Sequence, residues 1–178
     1  MTTRILLVRA VNVGGAKLPM AEFRELMSGL GGENVRTYIA SGNVVLEVPG
    51  DAGAFDRAVE KALTEKYGYV REVISRSPEE LEAALEAHPF EVIEPKYSYV
   101  APLTGMPSVD AIARAKEVST GDDRWEIVGN DLHIRYANGA GRAELDVNKV
   151  LKRLGVQGTA RNLNTVRALV EMASKEPS

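Results

Sequence analysis

Along this chain, short runs of branched apolar residues exchange with stretches in which apolar positions recur every three or four residues, so strands alternate with amphipathic helices. Ile5 to Val8, Val35 to Ile39, Val44 to Val48 and Val70 to Ile74 read as strands. Between the first two, Met20, Phe23, Leu26, Met27 and Leu30 keep helical spacing behind Pro19 and stop at Gly31-Gly32. Asp51 is placed to cap a second helix whose Phe55, Ala58, Val59, Ala62 and Leu63 form an apolar stripe before Gly68. Ser77-Pro78-Glu79-Glu80 is a capping box opening a third helix, which His88-Pro89 ends.

Strand, helix, hairpin, helix and strand is the βαββαβ order of a ferredoxin-like unit. The second half follows the same order: a strand at 97–102, a helix from Val109, strands at 124–128 and 132–136 around Gly129-Asn130, a helix through Val147, Val150, Leu151 and Leu154, and a short strand at 157–160. Gly42-Asn43 falls on Gly129-Asn130 at an offset of 87 residues, which favours an internal repeat. The predicted fold class is α+β: two tandem ferredoxin-like units packed together, plus a C-terminal helix from about Leu163 to Ser174. The expected boundaries are residues 1–90, a linker at 91–96, and residues 97–178.

Composition narrows the chemistry. The chain has 178 residues, 22 Lys+Arg against 25 Asp+Glu, two His and no Cys. Without cysteine there is no thiol nucleophile, disulfide or iron–sulfur ligation. A formal net charge of −3 argues against a general nucleic-acid binder. The apolar run Ile5 to Val8, cut by Arg9, is too short for an export signal, and no apolar segment is long enough to span a membrane. A cytoplasmic location and no membrane partner are therefore expected.

Three segments could hold a ligand. The loop from Ala10 to Pro19 joins a strand to a helix with about ten residues where a few suffice. Its Asn12, Gly14 and Gly15 could turn backbone N–H groups inward, with Arg9 and Lys17 adding charge for a phosphate or carboxylate. The turn Thr159-Ala160-Arg161-Asn162 offers the same chemistry at the start of the last helix; the plain alternative is that Asn162 or Asn164 caps the helix and Arg161 braces an interface. Strand alternation puts Arg36 and Tyr38 on the face opposite Val35, Thr37 and Ile39, beside the Ser41-Gly42-Asn43 hairpin. His88 and His133 each lack a second histidine near them in sequence, so neither a metal site nor a histidine dyad is expected. Asp122-Asp123 and the glutamates of the third helix read as solvated charge. No cofactor motif is present.

Arg9-Ala10-Val11-Asn12-Val13-Gly14-Gly15, Val35-Arg36-Thr37-Tyr38-Ile39-Ala40-Ser41-Gly42-Asn43-Val44 and Thr159-Ala160-Arg161-Asn162-Leu163-Asn164-Thr165-Val166 occur in this order over nearly the whole chain. They resemble R-G-I-N-V-G-G, V-R-T-Y-I-x-S-G-N-V and T-R-N-x-N-T-V of the bacterial domain-of-unknown-function family 1697. Ala10 and Ala143-Glu144 depart from the family, which tends to have Gly at the first and Ser-Lys at the second. The resemblance implies the duplicated ferredoxin-like architecture and no established activity. It also implies that Asn12, Gly14, Gly15, Ser41, Asn43, Arg161 and Asn162 matter together.

The expected function is binding of a small anionic, phosphorylated or carboxylated ligand in a cleft between the halves. Arg9, Lys17 and Arg161 would supply charge, and Asn12, Asn43 and Asn162 would orient it. The alternatives are a homodimer or other protein-interaction module, and an enzyme using Tyr38, Lys17 or Asp146 as proton carrier.

Overall fold

The computed structural model describes residues 1–9, 17–39, 42–68 and 71–175. The elements run β1 (Thr2–Val8), α1 (Met20–Gly29), β2 (Glu33–Tyr38), β3 (Asn43–Val48), α2 (Ala52–Tyr67), β4 (Val73–Arg76), α3 (Pro78–Glu86), β5 (Ser98–Pro102), α4 (Val109–Ala115), β6 (Arg124–Val128), β7 (Asp131–Arg135), α5 (Val147–Leu154), β8 (Arg161–Asn162) and α6 (Leu163–Ser174). Two four-stranded antiparallel sheets have the orders β2-β3-β1-β4 and β6-β7-β5-β8, which is the same topology twice and that of tandem ferredoxin-like units. The chain separates into one compact unit of residues 1–82 and 167–178 and a second of residues 83–166. The end of α6 thus groups with the first unit, where the sequence pattern had assigned the whole C-terminal helix to the second.

Each sheet buries one face under two helices of its own unit. In the first, Phe23 and Met27 of α1 and Phe55, Val59 and Leu63 of α2 pack on Leu6, Val8, Val44, Leu46, Val48 and Val73. In the second, Ala115 of α4 and Val150, Leu151 and Leu154 of α5 pack on Ala101, Trp125, Leu132 and Ile134. Val44 and Leu132 are matching core positions, so β3 and β7 correspond at an offset of 88 residues rather than the 87 suggested by the glycines. A shift of one would exchange the two faces of the strand.

The caps are where the local code placed them. Asp51 accepts from the Ala54 amide at 2.8 Å, and Gly68 closes α2 at φ +77°. Ser77 and Glu80 exchange the reciprocal capping-box bonds. Asp146 accepts from the Lys149 amide at 3.1 Å, so the carboxylate considered as a proton carrier is the N-cap of α5. Several strand boundaries move. β2 ends at Tyr38, because Ile39 takes a left-handed φ of +47° and is exposed. β4 starts at Val73, and Val70 lies outside the described residues. The last strand is Arg161–Asn162, with Gly158 making only an isolated bridge to Leu103.

β4 is an edge strand, and α2 covers its outward backbone groups with side chains. Glu60 accepts from the Val73 amide at 2.8 Å, Arg57 donates to the Val73 carbonyl at 2.6 Å, and Asp56 accepts from the Ser75 amide at 3.2 Å. Asp56 also takes the Ser75 hydroxyl at 2.9 Å, while its Oδ1 is buried without a partner among the described residues. Burial pushes this carboxyl above its ordinary range, partly offset by Ser75 and by Arg57 and Arg4.

The Asp123 carboxylate performs the equivalent task in the second unit. It is 2% exposed and accepts from the amides of Ala137, Glu144 and Leu145 at 2.9, 2.7 and 2.9 Å. Reading it as solvated charge was therefore wrong: it ties the loop after β7 to the turn before β6. Asp123→Ala would strand three backbone donors and should cost about 3 kcal/mol. Urea unfolding of the variant checks this, and a midpoint equal to wild type would show that the loop does not depend on the carboxylate.

Candidate functional site

At the end of β1, two basic residues of the first unit, Arg9 and Arg71, come together. Arg9 follows the strand, its amide donating to the Glu72 carbonyl at 3.0 Å and its guanidinium lying 3.6 Å from the Glu72 carboxylate. Arg71, just before β4, is 5% exposed and donates from Nη1 to the Arg9 carbonyl at 3.2 Å. Lys17 marks the other end of the loop and is exposed. Asn43, fully buried at the start of β3, donates to the Tyr38 carbonyl at 3.1 Å and so holds the hairpin closed. Asn12, Gly14, Gly15 and Ser41 lie outside the described residues. Arg71 was missed at the sequence level, because within the strand read from Val70 to Ile74 nothing local marks it as buried.

Arg36 has a different task from the one expected. It lies on the sheet face turned away from α1 and α2, with Tyr38, as alternation predicts: both pair with β3 residues, Val45 and Asn43, that point away from the core cluster. Its Nη1, however, donates to the Met172 carbonyl at 2.8 Å and the Lys175 carbonyl at 3.4 Å. A guanidinium on the last carbonyls of α6 satisfies groups the helix leaves open and sits at the negative end of its dipole. Arg36 is a helix cap rather than a free ligand contact.

In the second unit Arg161 sits on β8 opposite Val100 and donates to the Thr159 hydroxyl at 2.6 Å and the Ala160 carbonyl at 3.0 Å. Burial lowers its guanidinium to about 10, which leaves it a cation at neutral pH. Asn162 accepts from the Thr165 amide at 2.9 Å and is the cap of α6. Thr159, buried, is held by Arg161.

The fold also joins the chain's two histidines. His133 on β7 is 0% exposed, and its Nδ1 is 2.9 Å from Nδ1 of His88, which follows α3. Expecting them to be unrelated was an error of sequence distance, since 45 residues separate them. One nitrogen must donate and the other accept, so the pair shares one proton. Phe90 packs edge-on against His88, and Glu126 on β6 is the cross-strand neighbour of His133, itself paired with Lys116 at 3.1 Å. Among the described residues no group of three or more metal-ligating side chains occurs, and no helix is long and apolar enough to cross a membrane.

Comparison with known proteins agrees with this architecture. The family described as "Protein of unknown function (DUF1697)" matches residues 1–133. The chain belongs to that family. The structure of the conserved bacterial protein SP0830 from Streptococcus pneumoniae is similar to this DUF1697 chain with a TM-score of 0.77 and 25% identity, covering 97% of this chain and 99% of the other. An unknown protein from Galdieria sulphuraria aligns over 90% of this chain and 96% of its own at 14% identity, with a TM-score of only 0.26. No curated protein matches.

In this DUF1697 chain the structure gives Glu144 a local role. The Glu144 amide serves Asp123, and its carboxylate lies over Gly121, where a Cβ would overlap it. Gly121 at φ +56° thus supplies both the turn and the room.

The histidine pair sets a pH dependence. Burial first, and His88 second, lower His133 from 6.5 to about 4. A His held neutral in the fold contributes stability that is complete above 6.5 and lost as pH falls from 6.5 to about 4, because only the unfolded chain takes the proton there. The loss amounts to about 3 kcal/mol. Urea titrations at pH 7 and pH 4.5 should show this fall in wild type and a smaller one in His133→Asn. Equal falls in the two would mean that another group carries the effect.

Proposed function

We propose that the protein binds small anions in the first unit through an arginine that the fold withdraws from water, Arg71. The observation that carries this reading is Arg71: a guanidinium with 5% exposure, in contact with the backbone of a second arginine, at the end of a strand that runs into a glycine-rich loop. Arg9 and Arg71 meet at one sheet end, with the Glu72 carboxylate 3.6 Å from Arg9. Planar guanidinium groups match carboxylate and phosphate oxygens with paired donors. Arg9 and Lys17, the residues on either side of segment 10–16, carry further positive charge. Asn43 acts at one remove, by fixing the hairpin.

The reading is one of binding, with no reaction attached. Asp146 is engaged as a helix cap, and the buried histidine pair is withdrawn from solvent at His133.

A thermal-shift panel of inorganic phosphate, pyrophosphate, nucleotides and citrate tests it. An anion at a hundredfold excess over Kd adds about 2.7 kcal/mol, which for a chain of this size raises Tm by roughly 5 to 10 °C. The shift should vanish in Arg71→Gln and persist in part in Arg71→Lys, which keeps the charge and loses the fork. Absence of a shift across the panel, or an unchanged shift in Arg71→Gln, contradicts the reading.

A further inference from the structure

The second unit carries another arginine site, independent of the one above. A pocket of about 180 Å³ opens beside the start of β5, walled by Ile93, Tyr97, Tyr136 and Ala137, with Ser98, Arg135 and Glu94 as its polar members. Ile93 is 76% exposed at its mouth, an apolar side chain left in water where a ligand would cover it. The chain Ile93 to Tyr97 is anchored: the Tyr97 amide donates to the Glu94 carbonyl at 2.9 Å, the Tyr97 carbonyl accepts from the Tyr136 amide at 2.8 Å, and Gly139 lies flat against the Tyr97 ring. The walls are therefore set before any ligand arrives.

The charge in this pocket is unusual for a sheet. Arg135 on β7 pairs directly with Arg124 on β6, so two guanidinium groups leave neighbouring backbones on the same face. Like charges in that position destabilise a strand pair. Neither has a carboxylate within ion-pair distance among the described residues, and the described contact of Arg135 is to a neutral group, the Asp122 carbonyl at 3.2 Å from Nη2. Its Nε is buried without an acceptor among the described residues. An anion drawn in at Arg135 would relieve the repulsion between the two guanidinium groups.

We propose that this pocket binds a small monocarboxylate with an apolar body, the carboxylate on Arg135 and the ring or branched chain between Ile93 and the Tyr97 and Tyr136 side. The apolar walls select against inorganic anions, which would leave Ile93 exposed. Glu94 on the rim selects against a second negative charge, so dianions are disfavoured. Arg124 contributes field from across the strand.

Benzoate is the probe, followed by isothermal titration and by amide NMR shifts of the full chain at constant ionic strength, with benzyl alcohol and acetate as the neutral and the bodiless controls. A ligand of this size in so small a pocket should bind with Kd on the order of 1 mM. Arg135→Gln should weaken benzoate by about tenfold or more, the loss of one charged hydrogen-bonding partner. Ile93→Ser, at an exposed position that leaves the fold intact, should weaken benzoate and leave acetate unchanged. Glu94→Gln should strengthen the dianion phthalate more than benzoate. The proposal is overturned if benzoate binds no better than benzyl alcohol, if Arg135→Gln and Ile93→Ser both bind it like wild type, or if the shifts cluster at Arg71 and are lost in Arg71→Gln.

Discussion

Charge withdrawn from water must be answered by something polar, and in this protein the answer comes from the backbone. The Asp123 carboxylate is held by three amides, Asp56 by the amide and hydroxyl of one serine, and Arg36 by the last carbonyls of α6. Arg71, Arg161 and Arg135 each donate to a main-chain carbonyl in the same way. Amides directed at a carboxylate, or carbonyls at a guanidinium, hold the side chain in place with great economy, because the groups they use belong to loops, edges and helix ends that need partners anyway. A carbonyl dipole nevertheless leaves the cation's net charge in place.

The repeated ferredoxin-like topology explains where such groups collect. Each sheet has helices of its own unit on one face, so apolar residues there form the two cores and the opposite face is left to mixed residues. Strand ends and hairpins on that face carry Arg9, Asn43, Arg135 and the β8 segment with Arg161. The edge strand β4 is protected by α2 side chains rather than by a further strand, which fixes the approach to it and hence the place of Arg71.

The elements governed by neighbouring residues were legible in the sequence. The capping box at Ser77, the cap at Asp51, the stop at Gly68 and the Gly129-Asn130 turn all depend on a few adjacent side chains, and the structure has each of them. The exchange of strand and helix likewise gave the topology, and alternation placed Arg36 and Tyr38 on the correct face. Partners were not legible. Arg36 meets Met172, His88 meets His133, and Asp123 meets Leu145, separations of 136, 45 and 22 residues at which a single sequence holds no local signal. β8 was misplaced because two residues are too few for period-two alternation to register.

The central claim is that particular guanidinium groups, rather than the protein's surface charge in general, meet anions. The side-chain Nε–H resonances of the arginines, followed by ¹⁵N-edited NMR while phosphate and then benzoate are added at constant ionic strength, test it most directly. The account predicts that the Arg71 resonance shifts saturably with phosphate and that of Arg135 with benzoate, while Arg36, committed to the end of α6, stays where it is. Uniform small shifts of all the arginines, with no saturation, would contradict it.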